Sequence, residues 1–439
     1  MLEKSVRVLV GFMVLVLISS ASPAPAQVSS HLFNLSATGG VTSREPWPVV
    51  SFGGIRVMEN GSSWGEVNTA PGVYEWSALD KWLAKAKSGG QDVLYTFVWV
   101  PKWASSRPGD TTCRMGPGTC DAPSDLNADG TGTDQYWKDF VTALTAHNKA
   151  GSGAHIRYWE LWNEPHNKFS WNGTNAQLVR MVKDAYTIIK ASDSNAFILS
   201  PTLGWITNEA LTWASTYLAA GGSKYVDGIA LHGYVMQQLK TGAKTDNPET
   251  LTTLLPPYKA MLATFGLSSK PIFNTESSWS LNGQWGPFSS DPDMQTAFVS
   301  RLYILHAAYG ISRLYWFEWN DTSDGTLWLK DPRDASAPGT VLKPGIAYQA
   351  TYTWLVGNNI SKGCTQTATI WKCKITGASG YVAEAVWDTA ESCSSGSCHT
   401  VSYMPDAKYI HYQTLDGKTH SVTGTTVPIG AKPILLQNR

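Results

Sequence analysis

Two glutamates stand out by their neighbours. Glu164 closes the aromatic run Tyr158-Trp159-Glu160-Leu161-Trp162-Asn163-Glu164-Pro165. A proline disfavours the helical region for the residue before it, so Pro165 stops the strand with a carboxylate at its end. Glu276 follows Pro271-Ile272-Phe273-Asn274-Thr275 in the same way. Either glutamate alone would read as a helix cap or an ion-pair partner. Together, at the ends of two strands that face one opening, they match the needs of glycosidic bond hydrolysis. One carboxyl protonates the leaving oxygen and the other attacks the anomeric carbon or activates water. Glu160 is a third carboxylate on the same side of its strand as Glu164, but deeper. Arg56, from the second strand, is its expected partner, and we read Glu160 as structural.

The rest of the chain must hold these groups. Short β-branched or aromatic runs recur at 31–35, 54–58, 92–98, 158–162, 197–200, 228–231, 271–275 and 313–317. Helical patterns separate them, including 77–87, 134–147, 176–190 and 294–308. In the third of these, Leu178, Met181, Val182, Ala185, Ile188 and Ile189 recur at three and four, one buried face of a helix. Eight strands alternating with helices predict an α/β fold, a (β/α)8 barrel over residues 27–352, whose catalytic groups sit at the C-terminal ends of the strands. A doubly wound sheet is disfavoured, because no G-x-G-x-x-G follows the first strand. From residue 353 to 439 the texture changes to short alternating runs at 368–374, 381–387, 399–404, 409–414 and 427–436, which predict a small antiparallel β-sandwich. This second domain is a glycan-binding module or a structural companion of the barrel. Trp371 and Trp387 fall within its strand patterns and read as core.

Composition narrows the class. Lys plus Arg equal Asp plus Glu at 34 each among 439 residues, which argues against nucleic acid or an anionic membrane surface as partner. Aromatics reach 11%, with 20 Trp, so the chain has ample surface to bury. Residues 1–26 carry Lys4 and Arg7, an apolar run and Ala24-Pro25-Ala26, the pattern of a cleaved signal peptide. The expected location is secreted or periplasmic, with no membrane contact after cleavage. The six cysteines form three close pairs, Cys113 and Cys120, Cys364 and Cys373, Cys393 and Cys398, expected to bridge locally in an oxidising compartment. No zinc spacing accompanies them. Asp321 and Asp324, in the loop after strand eight, lack the rest of a calcium motif. No metal and no cofactor is expected, and nothing in the sequence specifies an oligomeric state.

Trp162-Asn163-Glu164-Pro165 resembles the W-N-E-P signature of clan A retaining glycoside hydrolases. The run Gly54-Ile55-Arg56-Val57, with Trp64, Val73-Tyr74-Glu75-Trp76, Leu79 and Asp80, is similar to glycoside hydrolase family 39 and its relatives. The resemblance covers the barrel. It implies that Glu164 is the acid/base, Glu276 the nucleophile and Asn163 the partner of a sugar 2-hydroxyl. His232-Gly233-Tyr234 resembles the pair beside the nucleophile, with the tyrosine hydroxyl touching it. Elementary chemistry asks for the same arrangement. A nucleophile needs donors such as Tyr234 and Arg56, and the acid needs its pKa raised by an apolar wall and a neighbouring carboxylate. Trp99, Trp103, Trp279, Trp316 and Trp319 lie at or past strand ends, where indoles stack on sugars, and Trp316 or Trp319 is the best candidate platform.

The pattern departs from the family after strand three, where 101–134 form a Gly- and Pro-rich insertion, and again at the strand-eight loop. Exo or endo action therefore stays open. The expected function is retaining hydrolysis of an oligo- or polysaccharide, with xylosidic, arabinofuranosidic or exopolysaccharide substrates. The alternatives are a family 5-like endo-β-glucanase and a non-catalytic glycan-binding barrel.

Overall fold

The computed structural model describes residues 27–36, 47–205, 207–238, 244–280, 291–319, 327–329 and 340–439. The proposed signal peptide and Asp321 and Asp324 lie outside the described residues. Eight parallel strands form the barrel: β1 (Phe33–Ser36), β2 (Gly54–Val57), β3 (Asp92–Thr96), β4 (Ile156–Glu160), β5 (Phe197–Leu199), β6 (Ile229–His232), β7 (Ile272–Ser277) and β8 (Ile311–Trp316). β1 pairs with both β2 and β8, and β6 pairs with β7. A parallel bridge from Leu199 to Gly228 joins the β5 side to the β6 side and closes the circle. The expected (β/α)8 barrel is what the chain forms.

Among the described residues, one long helix follows each strand from β2 onward, α1 (Ser77–Gly89), α2 (Gln135–Ala150), α3 (Asn175–Ser192), α4 (Asn208–Ala219), α5 (Leu251–Thr264), α6 (Pro292–Ala308) and α7 (Lys343–Leu355), with a single turn at Trp64–Val67 before α1. α3 shows why its sequence chose a helix. Thr174 and Gln177 cap each other's backbone N–H groups, at 3.1 and 2.9 Å, and such a cap is worth about 1 kcal/mol. Leu178, Met181, Val182, Ala185 and Ile189 then form its buried face, as their spacing predicts, with Ile188 partly buried beside them. Helix α5 was not legible, since Pro256 and Pro257 stand inside it and such a pair reads as a break.

Strand alternation sorts the side chains into two shells. Leu94, Tyr158, Leu199, Ala230, Phe273 and Tyr315 point inward from six strands and fill the lower barrel. The Arg313 guanidinium covers the Tyr158 ring, 4.1 Å from its centroid, and donates to the Tyr158 hydroxyl at 2.7 Å and to Asp92 at 3.0 Å. Their sequence neighbours point outward, where Trp159 packs beside Tyr95 of β3 and Phe97 just past it, and Phe97 meets Trp137 and Phe140 of α2. Fully burying one such large side chain contributes about 1.5–3 kcal/mol.

Beyond α7 the chain is all β. A sheet built on Ile370–Thr376, Val382–Asp388 and Ile434–Gln437 faces a two-stranded ribbon of Thr400–Tyr403 with Val427–Gly430. Val386, Val427, Ile429 and Leu436 fill the space between them, giving the expected β-sandwich. The single run predicted over 427–436 splits into two strands around Ala431-Lys432-Pro433. Trp371 and Trp387 are buried and stacked, with centroids 6.1 Å apart. The Trp387 indole donates at 2.6 Å to Glu249 of the barrel, which also receives Arg301 at 2.7 Å, so these tryptophans serve packing and the seam between the two parts. Bridges join Cys113 to Cys120, Cys364 to Cys373 and Cys393 to Cys398, the pairings expected from proximity.

Candidate active site

Glu160 is the last residue of β4, earlier than the expected strand end. The backbone then leaves the sheet, and Asn163 N–H donates to Phe97 O at 2.9 Å. Glu164 adopts a left-handed backbone conformation, φ +44°, where an extended residue was expected before Pro165. A non-glycine residue held there costs on the order of 1–3 kcal/mol and persists only when its surroundings over-determine it. Here they do. The Glu164 carboxylate receives His232 Nδ1 at 2.7 Å and the Trp205 indole N–H on one oxygen, and Asn167 Nδ2 at 3.1 Å on the other.

Glu276 reaches the same space by another route. The register of β7 slips against both neighbours, between Leu231 and His232 of β6 and between Leu314 and Trp316 of β8. A bulge lets two consecutive residues face the same side, so Thr275 and Glu276 both point inward. The Glu276 carboxylate receives Arg56 Nη1 at 2.7 Å and the Tyr234 hydroxyl at 2.7 Å. Its oxygen lies within 4.8 Å of both a Glu164 oxygen and a ring nitrogen of His232.

Beneath the pair lies a polar floor. Glu160 accepts four donors: Arg56 Nε at 3.1 Å, and the hydroxyls of Thr96 at 2.6 Å, Thr202 at 2.7 Å and Thr275 at 2.8 Å. Burial would raise its pKa, but the Arg56 charge, then His232 and the hydroxyls, bring it below the usual carboxylate range. Arg56 spends its remaining donors on Glu276 and on Asn163 Oδ1, at 2.8 Å. That leaves the Asn163 amide N–H groups as the donors for a ligand.

The Glu164 pKa corrects one expectation. An apolar wall and the second carboxylate were to raise it. Burial does push upward, but the hydrogen bond and charge of His232, then His166 and the Trp205 indole, outweigh it and hold the carboxyl at about 2. Burial would lower His232, and the charges of Glu276 and Glu164 instead raise it. Each group thus favours the charged form of the other.

Of the other sequence candidates, Asn163 and Tyr234 line the cavity beside the two glutamates. Arg56 and His232 are buried behind it and hold the carboxylates. Of the five indoles considered as platforms, of which about half were expected to face the cleft, four are buried and Trp103 is partly buried. Trp279 and Trp316 are 0% exposed, packed on Phe298 and Tyr303 of α6, and Trp319 is 2% exposed. Trp99 is buried and donates to Glu59 at 3.3 Å, and Trp103 donates to Asn68 O at 2.9 Å and meets Tyr136 edge-on. Strand parity could have excluded Trp316, since Arg313 and Tyr315 point inward and their neighbour must point out. Trp205, missed in the sequence, supplies the indole that does line the cavity, just past β5.

Glu164, His232 and Glu276 are also close enough to share a cation. The Arg56 guanidinium on Glu276 and the histidine on Glu164 already supply positive charge there, which suits sugar chemistry better than a divalent ion. Cys113 and Cys120, which lie close to Asp121, are joined in a disulfide and offer no thiolate.

Residues 119–322, which include both glutamates, match the family model Cellulase (glycosyl hydrolase family 5). No curated protein sequence matches the chain. Among solved structures, a family 39 glycoside hydrolase from the gut symbiont Bacteroides cellulosilyticus WH2 superposes with TM-score 0.66 at 15% identity, covering 93% of this chain and 82% of that one. A family 39 enzyme from Xanthomonas axonopodis pv. citri gives 0.60 at 14%, covering 94% and 95%. A family 30 endoxylanase from Clostridium papyrosolvens C71 gives 0.59 at 13%, covering 94% and 97%. At these identities the structural likeness shows the fold. With the family match, it bears out the resemblance to clan A glycoside hydrolases and supports a retaining glycosidase.

Proposed function

We propose that this chain is a secreted retaining glycoside hydrolase that cleaves O-glycosidic bonds of plant or microbial polysaccharide by double displacement. Glu276 is the nucleophile and Glu164 the acid/base. Residues 1–26 are the signal peptide, 27–352 the catalytic domain and 353–439 an accessory domain. The carrying observation is the separation of the two carboxylates, whose nearest oxygens lie within 4.8 Å. Retaining enzymes place their carboxyl groups about 5–5.5 Å apart, whereas inverting enzymes need roughly 6.5–9.5 Å to admit a water.

The partners suit each role. Arg56 and Tyr234 orient the Glu276 carboxylate toward the anomeric carbon. Glu164 passes a proton to the leaving oxygen, then as carboxylate takes a proton from the water that releases the sugar. Asn163, steadied by Arg56, donates to the 2-hydroxyl. The family 39 resemblance favours a xylosidic, arabinofuranosidic or exopolysaccharide substrate. The family 5 match favours a second reading, an endo-β-glucanase with the same two glutamates.

Assay of aryl glycosides and polysaccharides for released reducing ends separates the readings. Release from xylosides or arabinofuranosides supports the first, and release confined to β-glucans supports the second. Saturable binding without release would leave a non-catalytic glycan-binding barrel.

A further inference from the structure

We propose that the chain holds one calcium ion between the insertion after β3 and helix α3, ligated by Asp134 and Asp184 and completed by Asp125. This replaces the expectation of no metal, and it is independent of the reaction at the barrel mouth.

Asp134 is fully buried, and neither of its carboxylate oxygens has a hydrogen-bond partner among the described residues. A carboxylate in that state has given up water and gained nothing in exchange, which is costly. An aspartate just before a helix ordinarily caps it, and Asp134 is the N-cap residue of α2. It makes no capping bond. Asp125 caps instead, its Oδ2 accepting the backbone N–H groups of Gln135 at 2.5 Å and Tyr136 at 3.2 Å and the Thr133 hydroxyl at 2.9 Å. The Asp134 side chain turns toward Asp184 of α3, which lies within hydrogen-bonding reach.

The surrounding charges leave Asp134 uncompensated. Asp125 Oδ1 is buried and without a partner as well. Arg180 is the cation beside the three carboxylates, but it donates to Asp184 Oδ2 at 2.8 Å and to the carbonyls of Gly130 and Thr133 at 3.3 and 3.4 Å, and not to Asp134. Three carboxylates against one guanidinium leave an excess of two negative charges, which a divalent cation cancels. Burial, then the charges of Asp184 and Asp125, pushes the Asp134 carboxyl up to about 8 against the pull of Arg180, and a bound cation reverses that balance.

The donor set selects the ion. Every candidate atom is an oxygen, from the carboxylates or from the Gly130 and Thr133 carbonyls that Arg180 gathers, and hard oxygen donors suit calcium or magnesium rather than zinc. Asp134 has both oxygens uncommitted and can chelate through both. Bidentate carboxylates belong to the flexible calcium shell of roughly six to eight oxygens, whereas magnesium demands near-ideal octahedral geometry. Asp125-Leu126-Asn127-Ala128-Asp129-Gly130 matches the opening of a D-x-N-x-D-G calcium loop. The run closes differently. Asp129 Oδ1 turns back to accept the Thr131 N–H at 2.9 Å and hydroxyl at 2.6 Å, and Tyr136 stands where such a loop has its glutamate. The ion therefore lies beside this loop, against α3, rather than inside it. There it reinforces the bonds from Thr174 to Ala128 O at 2.7 Å and from Gln177 to Leu126 O at 2.9 Å, which tie the insertion to the start of α3.

Thermal unfolding and calorimetry of the full chain, stripped with EGTA, test the site. One calcium per chain should bind with Kd about 10⁻⁵–10⁻³ M, and CaCl2 at a hundredfold excess should raise Tm by about 3–6 °C. MgCl2 should need at least about tenfold more to do the same. Asp134→Asn and Asp184→Asn should each weaken calcium at least about tenfold, while Asp129→Asn keeps the wild-type response. In EGTA, Asp134→Asn should unfold no earlier than stripped wild type, because it sheds a buried charge. Absence of both heat and Tm shift in stripped wild type would overturn the proposal and leave a proton shared by Asp134 and Asp184. An equal response to MgCl2 would overturn calcium as the ion. A response that survives Asp134→Asn and Asp184→Asn but is lost in Asp129→Asn would overturn the location and move the ion into the loop. If Asp134→Asn does not fold, the wild-type titration and Asp184→Asn decide the matter.

Discussion

At the Glu276 end of the site, the carboxylate meets Arg56, whose charge does not titrate, and a tyrosine hydroxyl. At the Glu164 end, the carboxylate meets His232, the side chain whose charge changes most readily near neutral pH, with Trp205 and Asn167. Both carboxylates are buried, and both sit over the same floor of Arg56, Glu160 and threonines. The difference lies in what each can do with a proton. A permanent cation suits a nucleophile that must never be protonated. A titrating partner suits a group that gives up a proton in the first half of the reaction and takes one in the second. His232 stands between the two, its Nε2 3.7 Å from Glu276.

Removing each carboxylate sharpens the contrast most. Glu276→Ala should lower turnover of every substrate by on the order of 10⁵-fold, since no covalent intermediate can form, and azide should restore it with inverted glycosyl azide as product. Glu164→Ala should cost about 10²–10⁴-fold on poor leaving groups. Dinitrophenyl glycosides should keep their first step and stall in the second, with azide rescue giving retained product. The same inverted azide from Glu164→Ala would reverse the roles.

A subtler break targets the histidine. His232→Asn should move the basic limb of the kcat/KM profile to lower pH by about one unit, because the catalytic proton then rests on Glu164 alone. An unmoved limb would place the proton elsewhere, among His166, Glu276, Arg56 and Glu160, the other charged or titrating groups that face the pair. Stability should respond with a defined sign. The depressed Glu164 contributes above its ordinary pKa of about 4.3 and loses this as pH falls toward 2; the raised His232 contributes below about 6.5 and loses this as pH rises through its folded value. Urea titrations should therefore show the largest wild-type advantage over His232→Asn between about pH 4.3 and 6.5.

The smallest effect on chemistry should come from the floor. Glu160→Gln should cost about 3 kcal/mol of stability, as breaking a buried ion pair does, while the surviving folded enzyme keeps most of its turnover. A stable but inactive variant would make Glu160 part of the reaction rather than its support.

The barrel and the floor were legible because they depend on periodicity. Eight alternating runs predict eight strands, and two-residue parity turns Glu160 inward toward Arg56, although β4 ends there and Glu164 reaches the site from beyond it. The rim was not legible. Trp205, Phe169 and Arg114 lie in loops, where no repeat says which way a side chain points. The indoles expected as platforms were chosen for their place near strand ends, yet Trp279 and Trp316 pack outward on α6. The Glu164 pKa was misjudged for a related reason. His232 was named from its own motif, and only the fold shows that its Nδ1 meets Glu164.

The claim that two closely spaced carboxylates act by double displacement is tested most directly by the stereochemistry of the first product. A proton NMR time course of wild-type hydrolysis should show the released sugar first in the anomeric configuration of the substrate, with the other anomer growing only as it mutarotates. Appearance of the inverted anomer first would contradict the account.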